Sequence, residues 1–120
     1  MPRGSQIQIT NTLHNLGIPA NVKGYRYLQE AIKMVVKNSN LLNKITKDLY
    51  PSIAEKNSTT ASGVERAVRH AIHMSSVKGN LFAMNDIFNF SISIGKTRPK
   101  NSEFIYKISE KIRLELDLSN

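Results

Sequence analysis

Apolar residues recur with helical spacing through most of the chain. Tyr25, Leu28, Ile32, Val35 and Val36 fall at i, i+3, i+7, i+10 and i+11, which predicts an amphipathic helix from about Gly24 to Lys37. Upstream, Ile7, Ile9, Leu13 and Leu16 form an imperfect stripe that stops at Gly17, a good residue for a left-handed helix end, with Pro19 just beyond. Leu41, Leu42, Ile45, Leu49 and Ile53 make a third set. Pro51 falls inside it, so this helix must kink or begin afresh near Tyr50. The strongest periodicity is Val64, Ala67, Val68, Ala71 and Ile72, closed by Lys78-Gly79-Asn80. A shorter apolar segment runs from Leu81 to Phe90, and Ser91-Ile92-Ser93-Ile94 then alternates with period two. Those four residues have no partner strand in view and read as an extended connector. A final helix, with a capping signal at Asn101-Ser102, buries Phe104, Ile105, Ile108, Ile112 and Leu116. Six helical segments and no sheet predict an all-α domain.

A length of 120 residues fits one domain. Met1 to Ser5 reads as an initiator plus the stub of a cleavable tag, leaving residues 6–120 as the single domain. Zero Cys excludes disulfides and thiol chemistry and fits a reducing, cytoplasmic setting. No apolar run approaches the roughly 20 residues of a membrane span. The net charge of +8, from 17 Lys and Arg against 9 Asp and Glu, changes the picture most. It calls for an anionic partner, and it is unevenly placed: residues 101–120 hold three basic and four acidic side chains, so the surplus lies upstream.

Tyr50 to His73 reads as a helix-turn-helix. Ala54 provides the small residue where two helices cross, Ile53 and Val64 flank a polar turn from Asn57 to Thr60, and Ser62-Gly63-Val64-Glu65 matches a capping box with Thr60 as a rival cap. At about 100° per residue, Val64, Ala67, Val68, Ala71 and Ile72 share one face. Glu65, Arg66, Arg69, Ser62 and His73 lie opposite, with His70 at the border. Arg can bond guanine bidentately and Glu can accept from cytosine, and residues in the first turns of such a helix reach base edges, so Glu65, Arg66 and Arg69 are candidate base readers of double-stranded DNA. The same residues would also suit a solvated helix face in which Glu65 and Arg69 merely pair at i,i+4. Lys96, Arg98 and Lys100 form a basic loop before the last helix, suited to a phosphate backbone or simply to solvent. Tyr25 and Tyr27 beside Lys23 and Arg26 interleave rings with charge, as single-strand binders do, although the spacing of Tyr25 to Leu28 favours core packing. His70 and His73 at i,i+3 could share a metal, but no Cys or placed carboxylate completes a site, and His14 reads as a surface residue. No cofactor is expected. No catalytic order of Ser, His and Asp, paired carboxylates or glycine-rich phosphate loop is present, so an enzyme is not expected. The alternative to a DNA reader is a basic helical adaptor that binds an acidic protein surface, such as a polymerase subunit.

The motif also carries a resemblance. Leu49-Tyr50-Pro51, Ile53-Ala54, Thr59-Thr60-Ala61-Ser62 and Val64-Glu65-Arg66-Ala67-Val68-Arg69-His70-Ala71-Ile72 resemble the C-terminal effector domains of the response regulators that initiate sporulation in endospore-forming bacteria. Gly17-Ile18-Pro19-Ala20, Lys23-Gly24-Tyr25, Tyr27-Leu28, Arg98-Pro99 and Asn101-Ser102-Glu103-Phe104-Ile105 extend it over nearly the whole chain. The resemblance implies a six-helix domain that binds a short G·C-containing promoter box and activates or represses transcription. It implies base reading by Glu65, Arg66 and Arg69, and phosphate contacts at Thr59, Ser62 and His70. It further implies contact between Gly79 to Ser91 and the RNA polymerase sigma subunit, and paired copies, a homodimer, on tandem boxes. The family's phosphorylated N-terminal receiver domain has no counterpart here, so the chain is expected to be an excised effector domain of a two-component system. Two positions depart from the family pattern: Gly63 stands where Arg is expected, and Asn57 where a bulky apolar residue is expected, which predicts looser packing around the turn.

Overall fold

The computed structural model describes residues 3–88 and 98–116. They form six α-helices: α1 (Arg3–Leu16), α2 (Lys23–Lys37), α3 (Tyr50–Lys56), α4 (Ala61–Lys78), α5 (Leu81–Phe88) and α6 (Asn101–Glu115). A 3-10 turn over Ser39–Lys44 and a π-helical turn over Ile45–Leu49 connect α2 to α3. Among the described residues there is no strand, and the expected all-α architecture holds. The Ser91 to Ile94 connector lies outside the described residues.

The helix borders follow local chemistry. Gly17 takes φ +83°, and the Ile18 and Gly17 N–H groups donate to Leu13 and His14 carbonyls at 3.1 and 3.0 Å, closing α1 as expected. At Pro51 the third apolar set changes helix type without leaving helical angles: the π-helical turn runs into α3 through Leu49 and Tyr50, the Tyr50 N–H donates to the Ile45 carbonyl, and Pro51 sits in the first turn of α3. α1 begins at Arg3, inside the stretch read as a tag stub, and Ser5 is buried.

α2 lies at the centre, packed on α1, α3, α4 and α6. Its stripe of Tyr27, Leu28, Ala31, Ile32, Val35 and Val36 is buried. Tyr27, rather than Tyr25, is the more deeply buried ring; Tyr25 packs at the margin of the core. Ile9, Leu13 and Leu16 face inward from α1, but Ile7 is exposed, because two residues of helix rotate it to the opposite side from Ile9. Phe104, Ile105, Ile108 and Ile112 of α6 are buried, and Phe104 stacks on Phe88 with centroids 5.4 Å apart. From α6, Arg113 donates to the Val36 carbonyl at 2.7 Å, so its cation sits on the carbonyl end of α2.

Two close approaches set the pose of α4. Gly24 of α2 lies against Ala67 and Ala71 so tightly that a Cβ there would overlap the Ala67 carbonyl oxygen and come 2.7 Å from the Ala71 Cβ. At the other end, Ser75 Oγ donates to the Leu16 carbonyl at 2.8 Å and the Asn80 N–H donates to the same oxygen at 3.2 Å. Gly79 closes α4 for this reason rather than by a left-handed turn. Its φ is −89°, and a Cβ would lie 2.5 Å from both the Leu16 and Ser75 carbonyl oxygens.

Candidate nucleic-acid interface

α3 and α4 form the helix-turn-helix. The turn between them is a Schellman closure: Ser58 stands at φ 53°, Thr59 N–H donates to the Ala54 carbonyl at 3.0 Å, and Ser58 N–H reaches Glu55 O at 3.5 Å. Ala54 is buried at the crossing, where a larger side chain would separate the helices. Asn57, expected to loosen the packing, instead ties the turn: Nδ2 donates to Glu30 Oε1 on α2 at 2.9 Å and to the Ile53 carbonyl at 2.8 Å. A polar bridge replaces the apolar contact expected there.

Thr60, not Ser62, caps α4. Its hydroxyl accepts from the Gly63 N–H at 3.0 Å, and α4 starts at Ala61. The capping-box reading placed the helix start two residues late, because neighbouring Thr and Ser both satisfy the pattern. With Gly63 at the third helical position, the return arm of a capping box is missing.

From this start the two faces of α4 separate as the spacing predicts. Val64, Val68, Ala71 and Ile72 are fully buried. Ser62, Arg66, Arg69, His70 and His73 are exposed, and Glu65 is partly so. Glu65 and Arg69 pair at 2.6 Å, with side chains 41% and 44% exposed. Thr59 is exposed on the turn just before the helix.

Arg98 and Lys100 come to the same surface. Arg98 Nη1 lies 3.1 Å from His73 Nδ1, and Arg98 and Lys100 join Glu65 and Arg69 around a cleft of about 600 Å3. Arg66, Arg69, His70, His73 and Arg98 line a second, shallower hollow. Thus Glu65, Arg66, Arg69, His70, Arg98 and Lys100 form one continuous basic surface, with Thr59 and Ser62 at the start of α4. Lys96 lies outside the described residues.

Asn101 is the residue that sequence reasoning misassigned. It does not cap α6; Lys100 holds the N-cap position without a side-chain bond. Asn101 Nδ2 instead donates to the Tyr50 hydroxyl at 3.2 Å and to the Glu65 carbonyl at 3.0 Å, fastening the start of α6 to both helices of the motif. Burial pushes the Tyr50 phenol above its ordinary pKa of 10.0 against the Asn101 hydrogen bond; the Glu65 carboxylate adds to the rise and Arg69 opposes it. Tyr50 therefore holds its proton in a place next to the proposed readers.

Val77 in the last turn of α4 is 53% exposed, and Leu81 and Phe82 just past it are 42 and 89% exposed, so part of the segment from Gly79 onward presents apolar side chains to solvent. Its last residues, 89–91, lie outside the described residues. Among the described residues no helix is long and apolar enough to cross a membrane, and no three His, Cys, Asp or Glu side chains gather as a metal site would require. A comparison of the chain with protein-family models finds a match over residues 9–112 to the one described as "Sporulation initiation factor Spo0A C terminal".

Proposed function

The chain belongs to the family of sporulation initiation factor Spo0A C-terminal domains, a DNA-binding regulatory family and not an enzyme family, and on that premise we propose that it recognises a specific promoter box. In this reading α4 enters the major groove, Glu65, Arg66 and Arg69 read base edges, and Thr59, Ser62, His70, Lys96, Arg98 and Lys100 hold phosphates. One observation carries it: Arg66 and Arg69 stand exposed on the first turns of a helix whose opposite face buries Val64, Val68, Ala71 and Ile72.

A gel-shift titration with a box-bearing duplex and a scrambled duplex tests the proposal. Arg66→Ala and Arg69→Ala each cost about 1–3 kcal/mol against the box, and little against scrambled DNA. Equal losses on both duplexes would refute base reading and favour the adaptor alternative. Lys100→Ala should weaken both equally and flatten the salt dependence by about 0.9 in log-log slope.

The finer parts of the proposal concern regulation in the cytoplasm, where promoter DNA and polymerase meet. The exposed Val77, Leu81 and Phe82 supply an apolar surface suited to the polymerase sigma subunit. Phe82→Ser should then lower transcription from an activated promoter while leaving the footprint intact. Tandem boxes would be occupied by paired copies, which sedimentation with one-box and two-box duplexes resolves. Activation and repression follow from box position relative to the polymerase, under control of a phosphorylated receiver domain.

A further inference from the structure

A second basic cleft lies on the other side of α4, and of its lining only Thr59 has a part in the proposed function. It is lined by Lys23 and Arg26 from α2 and by Asn57, Ser58 and Thr59 from the turn, with a volume of about 470 Å3. Among the described residues no acidic side chain lines it. Lys23, Arg26, Ser58 and Thr59 are all exposed.

Its placement follows from the packing of α2. Gly24 presses on Ala67 and Ala71, so the first turn of α2 flanks the Ala67 side of α4. Glu65 and Arg69 project toward the opposite flank, where Arg98 and Lys100 stand. The outward face of α4, with Arg66 and His70, is thereby bracketed by two pairs of cations. A helix lying in a major groove is walled by two phosphate strands about 12 Å apart, one on each side. One basic flank accounts for only one of those walls.

We propose that Lys23 and Arg26, with the Thr59 hydroxyl, form a second phosphate-binding site that grips the DNA strand opposite the one held by Arg98 and Lys100. The site takes backbone phosphate and reads no base, because both cations lie beside α4 rather than on its outward face. The juxtaposition also explains the basic and aromatic interleaving at the start of α2: Tyr27 turns into the core, and Lys23 and Arg26 are left outside. This inference rests on the groove-reading proposal for the direction of approach.

The test measures binding of the intact chain to box and scrambled duplexes by fluorescence anisotropy across a salt series. Removing both cations in the double variant Lys23→Ala/Arg26→Ala should weaken the two duplexes by the same factor and lower the log-log salt slope by about 1.8, at 0.9 per phosphate contact. Lys37→Ala is the charge control. It lies about 21 Å from Lys23 and about 16 Å from Arg26 along α2, at 1.5 Å per residue, beyond a Debye length of about 8–10 Å, and should leave the slope unchanged. An unchanged slope in the double variant, or one no different from the Lys37→Ala control, would overturn the second site. A loss confined to the box would overturn it too, by making these residues base readers. If the wild-type chain failed to distinguish box from scrambled DNA, groove reading would fall, while the slope difference would still decide whether the cleft holds phosphate.

Discussion

Replacing Gly24 by Ala adds one methyl group where α2 crosses the proposed recognition helix. The new Cβ would overlap the Ala67 carbonyl oxygen, with the Ala67 carbonyl carbon 2.8 Å away and the Ala71 Cβ 2.7 Å away. Ordinary carbon–carbon contacts lie at about 3.5–4.0 Å, so α2 and α4 must separate by roughly 1 Å. Two of the three obstacles are helix backbone, which cannot swing aside as a side chain can. Overpacking of this kind costs about 1–3 kcal/mol and more where backbone must move. Against this stands the helix propensity of Ala over Gly, at most about 1 kcal/mol and less in a first turn. The expected net loss is about 2 kcal/mol, out of the 5–15 kcal/mol typical of a domain, or roughly 10 °C in Tm. Urea denaturation reads it as a lower midpoint with unchanged m. Gly63→Ala is the comparison: its Cβ would meet no backbone, only the Thr59 hydroxyl at 2.9 Å and the capping Thr60 hydroxyl at 3.1 Å, so its loss should stay within the roughly 1 kcal/mol of a weakened cap. A Gly24→Ala chain as stable as wild type, or more so, would refute backbone-on-backbone packing between α2 and α4.

The remaining predictions concern the supports of the motif. Ser58 holds φ 53°, so Ser58→Val should lose about 1–2 kcal/mol while Ser58→Gly loses nothing; equal effects in denaturant would mean the turn is not left-handed. Burial raises the Tyr50 pKa, so above pH 10 the unfolded chain releases that proton while the folded chain keeps it, and stability falls as pH rises. Wild type should therefore lose stability more steeply than Tyr50→Phe above pH 10, and parallel profiles in alkaline melts would contradict this. Arg113→Met removes a charged donor from the Val36 carbonyl and should cost about 1.5 kcal/mol by urea denaturation, with no change in DNA preference.

What the sequence revealed was what local rules encode. The α4 stripe, the left-handed Gly17 and a change of helix at Pro51 each follow from one residue's backbone or from helical period, and each stands in the structure, the last as a π-helical turn leading into α3. Contacts made across long stretches of chain were not legible. Asn101 reaches partners 36 and 51 residues away, and a cap-forming residue type at a helix start masked that role. Gly24 and Gly79 are needed for close approaches between helices, which no single-segment pattern contains. Leu81 and Phe82 matched an apolar helix, yet α5 is short and buries only Met84 and Phe88 fully, so the others face solvent. The cap at Thr60 was legible only as a rival to Ser62, because adjacent Thr and Ser residues meet the same rule.

The supports of α4 divide its two duties. Thr60 and the Schellman turn fix its start, Gly24 its back, Asn101 its flank and the Leu16 carbonyl its end. Thr60, Gly24 and Asn101 meet backbone groups of the motif, the side chains drawn in are those of Ser75, Tyr50 and Ala71, and none of the contacts uses the side chain of Arg66, Arg69 or His70. Those side chains are therefore not committed to holding the fold. The exception is the Glu65–Arg69 pair, and its exposure decides its weight. Two side chains more than 40% exposed make an i,i+4 pair worth about 0.3–0.5 kcal/mol. A guanine edge offers Arg69 a bidentate partner worth about 1–3 kcal/mol in discrimination, so the exchange runs toward DNA. In the proposed groove-reading mode Glu65 is then released to accept from a cytosine amino group on the neighbouring position, whereas in the free protein it is paired with Arg69. On that proposal the pair would serve as pre-organisation: it restricts Arg69 before binding at a cost small enough for one base contact to reverse.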